Sequence, residues 1–238
     1  MTILERVREN EGLLTDMRRH LHEHPELSGR ETETLLYVRQ KLEQFGVRHT
    51  EVRHGGIVAE VGREGGRCVM LRADLDALPV PENDHNLKGP KGAVSKNAGV
   101  SHACGHDGHT AMLLVAAKVL QEMEDSLEGK VYLAFERGEE AGLNARYLLR
   151  HFEQNDIRFD AVYGTHLLST FEGGKISVEP GGVMAGSVFY RITLTGRGGH
   201  GSRPDLAVNP IDCFHLFYSG LTALRMKYIS PFETLTVS

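Results

Sequence analysis

Four apolar, β-prone runs, Ile57 to Val61, Cys68 to Leu71, Val131 to Phe135 and Ala161 to Tyr163, constrain the fold more than any other feature of the chain. A continuous apolar run reads as a strand buried on both faces. A strongly apolar helical stretch, Thr110 to Met123, lies between the second and third runs, and buried strands alternating with helices imply an α/β sandwich. Two amphipathic helices are expected before the first strand. Ile3, Leu4, Val7, Leu13, Leu14, Met17 and Leu21 recur at helical spacing, and Leu35, Leu36, Val38, Leu42 and Phe45 do so after the break at Pro25 to Gly29. With 238 residues, 40% of them hydrophobic, there is ample material for a core.

The character changes at Glu179-Pro180-Gly181-Gly182. Beyond it, Ser187 to Thr195 alternates as a half-exposed strand, Gly196 to Gly201 is glycine-rich, Val208 to Leu224 has helical periodicity, and Thr234 to Ser238 has the composition of another strand. The expected division is a first domain over 1–180 and a partial second domain over 181–238. Two strands and one helix are marginal by themselves, so the chain reads as a fragment or as one that needs a partner.

A net charge of -5 gives no footprint for nucleic acid, and no Lys/Arg run marks a membrane surface. No run of about 18 apolar residues and no signal-like N-terminal segment is present, so a cytoplasmic location is expected. Cys68, Cys104 and Cys213 are odd in number and widely spaced, which favours free thiols in a reducing compartment.

Chemistry concentrates in Ser101-His102-Ala103-Cys104-Gly105-His106-Asp107-Gly108-His109, just before the apolar helix. If this segment is extended, the alternate residues Cys104 and His106 project to one side and can share an ion. A polar helix cap through Asp107 or Thr110 would be the plainer account, but capping explains neither the cysteine nor three histidines. Glu139-Glu140 follows the strand Val131 to Phe135 after a short turn, so it should stand at a strand's carboxyl end, where ligands of open α/β sheets gather. One glutamate could bind metal while the other takes a proton; an acidic first turn of a helix is the alternative. His166 ends a further strand, again at its carboxyl end. Asp74, after the strand Cys68 to Leu71, could orient a metal-binding imidazole or form a self-bonded acidic turn. His200 and Arg203 sit in a glycine-rich loop, where they could hold an oxyanion or a substrate carboxylate, or simply decorate a hairpin.

At these residues the chain resembles the aminoacylase and carboxypeptidase type zinc metallopeptidases, and among them the branch of N-acyl-amino-acid, hippurate and auxin-conjugate amidohydrolases. The resemblance is carried by Arg18 to Ser28 (RRHLHEHPELS), Arg72 to Pro79 (RADLDALP), the His102 to His109 loop, Glu139-Glu140, His166 and the stretch from Gly198 to Pro210. It implies a zinc-exopeptidase-like catalytic sandwich, a mixed sheet between helices, with an inserted α+β lid and dimerisation domain that is incomplete here. It also implies two divalent metal ions, zinc or manganese with cobalt or nickel as alternatives, held by Cys104, His106, Glu140 and His166. Glu139 would be the general base and His200 a catalytic lid residue; a homodimer through the lid is implied too. The implied reaction is hydrolysis of the amide bond of an N-acyl amino acid by metal-activated water. Two rivals stand beside it: an inactive, truncated relative serving as a metal-binding or dimerisation module, and a dipeptide exopeptidase. The chain departs from the family at Glu136-Arg137-Gly138, where Gln-Pro-Ala is usual, and members are longer, carrying a last metal-ligating histidine near their C-terminus.

Overall fold

Along one strand Ile57, Ala59 and Val61 face one side while Val58 faces the other, and all four are buried. A period-2 element with both faces apolar needs cover on both sides. The computed structural model describes residues 1–86, 88–142, 144–183, 186 and 188–236, and the chain separates into two compact units, Met1–Lys175 and Ile176–Ser238.

The first unit opens with helices α1 (Ile3–Glu9), α2 (Glu11–Glu23) and α3 (Thr32–Gln44). The first expected helix is thus interrupted at Asn10, which ends α1 and begins α2. There follow β1 (Arg48–Val52), β2 (Gly56–Gly62), β3 (Cys68–Asp74), a two-stranded hairpin β4 (His85–Asn86) and β5 (Gly89–Pro90), α4 (His106–Glu122), β6 (Lys130–Glu136), α5 (Ala145–Gln154) and β7 (Ala161–Gly164). The main sheet has the order β1-β2-β6-β3-β7. β1 to β2 and β2 to β6 are antiparallel, whereas β3 runs parallel to both β6 and β7. The sheet is therefore mixed and flanked by helices.

Leu133 and Phe135 of β6 join Ile57, Ala59, Val61 and Ala73 in packing against α2, α3 and α4. On the other face Val58, Tyr132 and Ala134 meet Leu148 and Phe152 of α5. α4 is the central helix: Ala111, Leu114, Val115 and Ala117 are almost wholly buried. Each large apolar side chain so buried contributes roughly 1.5–3 kcal/mol, which makes α4 a firm platform for whatever its first turn carries.

In the second unit α6 spans Pro210–Tyr228, with Asn209 capping it by accepting from the Ile211 amide at 3.0 Å. The expected strand over Ser187 to Thr195 does not form over its described residues; Ser187 itself lies outside them. Residues 188–195 have no ladder partner among the described residues, and an isolated bridge between Arg197 and Val208 is the neighbouring pairing. An extended segment becomes a strand only when another backbone takes up its N–H and C=O groups. Of the expected strand Thr234 to Ser238, residues 237 and 238 lie outside the described residues, and 234–236 are unpaired. No described residue of this unit is buried. Among the described residues no helix is long and apolar enough to cross a membrane.

Candidate metal centre

Three parallel strands, β3, β6 and β7, deliver their carboxyl ends to one place. β3 ends in Asp74 and leads to Asp76; β6 leads through Gly138 to Glu139 and Glu140; β7 leads to His166. Gly138 has φ +69°, and a Cβ there would meet the Asn144 side-chain nitrogen at 2.0 Å, so this turn requires glycine. The charges that precede it are each paired elsewhere. Glu136 accepts from Arg72 Nε at 2.8 Å, and Arg137 donates to the fully buried Glu31 at 3.0 Å.

The histidine loop meets these strand ends through α4. The helix begins at His106, four residues before the expected start, and Gly105 precedes it in the left-handed region at φ 89°. Cys104 and His106 are thus brought together by a turn into a helix, not by alternation along an extended segment. His106 and His109, three residues apart on α4, share a face, with ring centroids 5.4 Å apart.

His106 is fully buried. Its Nε2 stands 3.8 Å from Asp74 Oδ2, 3.9 Å from Glu140 Oε1 and 4.0 Å from Glu139 Oε2, while Nδ1 is 3.4 Å from Asp76 Oδ1. None of these contacts is an aligned hydrogen bond, and both ring nitrogens are left without a partner. On the other side of the cluster Cys104 Sγ lies 3.3 Å from His166 Nε2. Ligand atoms of Cys104, His106 and His166 fall within 4.8 Å of one another, as do those of His106, Glu139 and Glu140.

These donors fit a divalent ion. Donors each bound about 2.0–2.3 Å from one ion stand roughly 3–4 Å apart, so donors at these separations that are not aligned on one another can share it. Thiolate and imidazole suit zinc, and carboxylate oxygens leave room for manganese. Asp74, His106 and His109 also lie within 4.8 Å, but His109 is committed elsewhere. Its Nε2 accepts from the Leu167 amide at 2.9 Å and its Nδ1 donates to Asp74 Oδ1 at 2.6 Å.

The local charges shift several groups. Burial pushes the Cys104 thiol up to about 12, with Glu140 and the neighbouring carboxylates adding to it. Glu139 is raised by burial and by the negative charges of Glu140 and Asp74. For Asp74 burial acts upward, but the hydrogen bond from His109 and the charges of His106 and Arg72 outweigh it and hold the carboxyl well below its usual range.

Asp74 therefore touches His109 and Arg72 and faces His106. Asp76, which sequence reasoning passed over, ties the cluster to the segment after α2: Oδ2 accepts from the Ser28 hydroxyl at 2.6 Å and from the Glu140 amide at 3.0 Å. Its spacing two residues after Asp74 was the available signal. His200 and Arg203 belong to the second unit, where His200 Nδ1 accepts from the Ser202 amide at 3.2 Å and Arg203 forms an exposed two-bond pair with Asp205. A cavity of about 300 Å³ between β1, β2, β6 and α5, lined in part by Arg48, His49, Glu60 and His151, includes none of the candidate residues.

The family model for Peptidase family M20/M25/M40 matches residues 70–234, which takes in the whole cluster. The chain belongs to this family. Among curated relatives, an N-acyl-L-amino acid amidohydrolase of Geobacillus stearothermophilus is 38% identical over 93% of this chain. A thermostable carboxypeptidase of Saccharolobus solfataricus is 37% identical over 98% of it. The chain spans 59% of the length of the first and 58% of the second. Among solved structures, a dinuclear metal binding peptidase of the M20 family from Bacillus subtilis shares 38% identity and a TM-score of 0.61, covering 68% of this chain and 45% of that one.

Proposed function

We propose that the protein is a metal-dependent amidohydrolase acting on N-acyl amino acids. The observation that carries this reading is the convergence of Cys104, His106, Glu139, Glu140 and His166 at three strand ends in a chain of the M20/M25/M40 family. Cys104, His106, Glu140 and His166 would hold two divalent ions, zinc or manganese, with cobalt or nickel as substitutes. When bound, such ions supply Lewis acidity, polarising a carbonyl and making water nucleophilic near neutral pH. Glu139 is the general base: it takes the proton of the attacking water and returns one to the leaving amine. Its raised pKa supports that role, because a proton shuttle works best with a pKa near the operating pH.

Asp76 and Asp74 keep the cluster in place, the first through Glu140 and the second through His109. The imidazole of His200 and the guanidinium of Arg203 are substrate-side donors, suited to an oxyanion and a carboxylate. The second unit exposes Phe189, Tyr190, Ile192 and Phe214, and pairing with a second copy of the chain would cover such apolar surface. Three unpaired cysteines support a cytoplasmic setting.

A second reading, an exopeptidase acting on peptides, is favoured by the carboxypeptidase relative. One panel separates the two: N-acetyl, N-benzoyl and indole-acetyl amino acids beside dipeptides, each with and without added manganese or zinc. Metal-dependent release from the acyl amino acids supports the amidohydrolase. Release from dipeptides alone overturns it in favour of the exopeptidase.

A further inference from the structure

A second buried polar cluster lies one residue beyond His106 and is built around His22 of α2. His22 Nδ1 stands 2.8 Å from Asp107 Oδ2, and His22 Nε2 stands 2.8 Å from Glu82 Oε1. The side chains of His22, Glu82 and Asp107 are respectively 8%, 8% and 1% exposed. Asp107 lies in the first turn of α4, whose partial positive charge favours a carboxylate, and it also forms an ion pair with Arg18, whose Nε stands 2.8 Å from Oδ2. Glu82 belongs to the loop between Pro79 and Ser101 and gathers that loop about itself, accepting from Lys91 Nζ at 2.9 Å and from the Ser95 amide at 2.7 Å.

An imidazole with a carboxylate at each nitrogen satisfies both only when both nitrogens carry protons. In a neutral ring one lone pair would face an anionic oxygen at 2.8 Å in a buried place. Arg18 Nη2, 3.2 Å from Nδ1, offers an alternative donor, but it leaves the closer Asp107 contact repulsive. The charged groups facing His22 are Arg18 on its own helix, Asp107 on α4 and Glu82 from the loop; Lys91 stands behind Glu82, and the titratable His102 just before α4 is held neutral by burial. The direction of its shift agrees: the hydrogen bond to Asp107 raises the His22 pKa, and burial does not cancel it.

We propose that His22 is a positioning residue, an imidazolium that bridges Glu82 and Asp107 and so fastens the Pro79–Ser101 loop to the first turn of α4, fixing the placement of His106. The link to catalysis rests on the proposed amidohydrolase reading; the bridge itself does not. Other anchors, such as Asn97 Nδ2 donating to the Pro25 carbonyl at 2.7 Å, hold the far end of the loop, so the action of His22 is confined to the segment around Glu82 and Ser95.

The test uses the intact chain without metal or substrate, so that its outcome is independent of any activity. Nitrogen NMR of histidine-labelled protein should show both His22 ring nitrogens protonated at pH 7. In His22→Gln, whose amide can donate from one end only, hydrogen exchange should quicken about tenfold or more at residues 82–95 and at Gly108 and His109, with β2 and β6 unchanged. A neutral His22 ring at pH 7, or unchanged exchange in both the loop and the first turn of α4, overturns the proposal. Faster exchange in the loop alone overturns the positioning of His106. If the variant does not fold, the ring spectrum of the unaltered chain decides.

Discussion

The Leu167 backbone amide donates to Nε2 of His109 at 2.9 Å, which fixes the proton of that ring on Nδ1, where it is given to Asp74. One neutral imidazole thereby ties the loop after β7 to α4 and to the end of β3. His109→Ala removes a buried ring and leaves Asp74 short of its donor, so it should lower unfolding free energy by about 3 kcal/mol. Urea denaturation measures this, and a change below about 0.5 kcal/mol, typical of neutral surface sites, would show that the ring carries no such load.

Arg137 and Glu31 form a pair in which the carboxylate is fully buried and also accepts from the Gly29 amide at 2.9 Å. Arg137→Ala strands that carboxylate and should destabilise the fold by roughly 3–5 kcal/mol. Adding Glu31→Gln should restore part of the loss. Strict additivity of the two substitutions in a double-mutant cycle would mean that the pair does not act as one unit.

Glu82 gives a pH-dependent signature. Burial acts upward on its pKa, but the Ser95 amide, Lys91 and His22 outweigh it and bring it down to about 2. A carboxyl depressed in this way adds stability above its ordinary pKa of 4.5, and the gain disappears as pH falls from 4.5 towards 2. Glu82→Gln should therefore lower stability by about 2 kcal/mol at pH 7, and the difference from the parent should shrink through that window. A difference that stays constant from pH 7 to pH 3 would contradict this assignment.

The site was more legible in the sequence than parts of the scaffold were. Cys104, His106, Glu139, Glu140 and His166 carry unusual chemistry close to strand or helix boundaries, so their meeting could be expected from strand direction. β1, with the sequence RHTEV, is a polar edge strand lacking an apolar run, and it becomes visible only through its pairing with β2. The apolar periodicity begins four residues after the true start of α4, because Gly105 and the polar His106 to His109 mask the helical pattern. The bridge from His22 to Asp107 joins residues 85 positions apart, and no local pattern encodes it. Glu136 and Arg137 read as a charge pair, yet each has its own distant partner, Arg72 and Glu31.

Glu139→Gln keeps the shape of the proposed base and removes its ability to take a proton. Turnover of an N-acyl amino acid should fall about 10²- to 10⁴-fold while bound metal is unchanged. Retained turnover would remove Glu139 from the chemistry; lost metal would move it among the ligands.

Cobalt reports directly on whether the Cys104, His106, Glu140 and His166 cluster holds a divalent ion, because a cysteine thiolate bound to Co²⁺ gives a ligand-to-metal charge-transfer band. Titrating the metal-free chain with Co²⁺ should produce that band with saturable stoichiometry, and Cys104→Ala should abolish it and reduce the cobalt retained after dialysis. A folded parent chain that retains no cobalt, or a Cys104→Ala variant with the same band and content, would contradict the assignment.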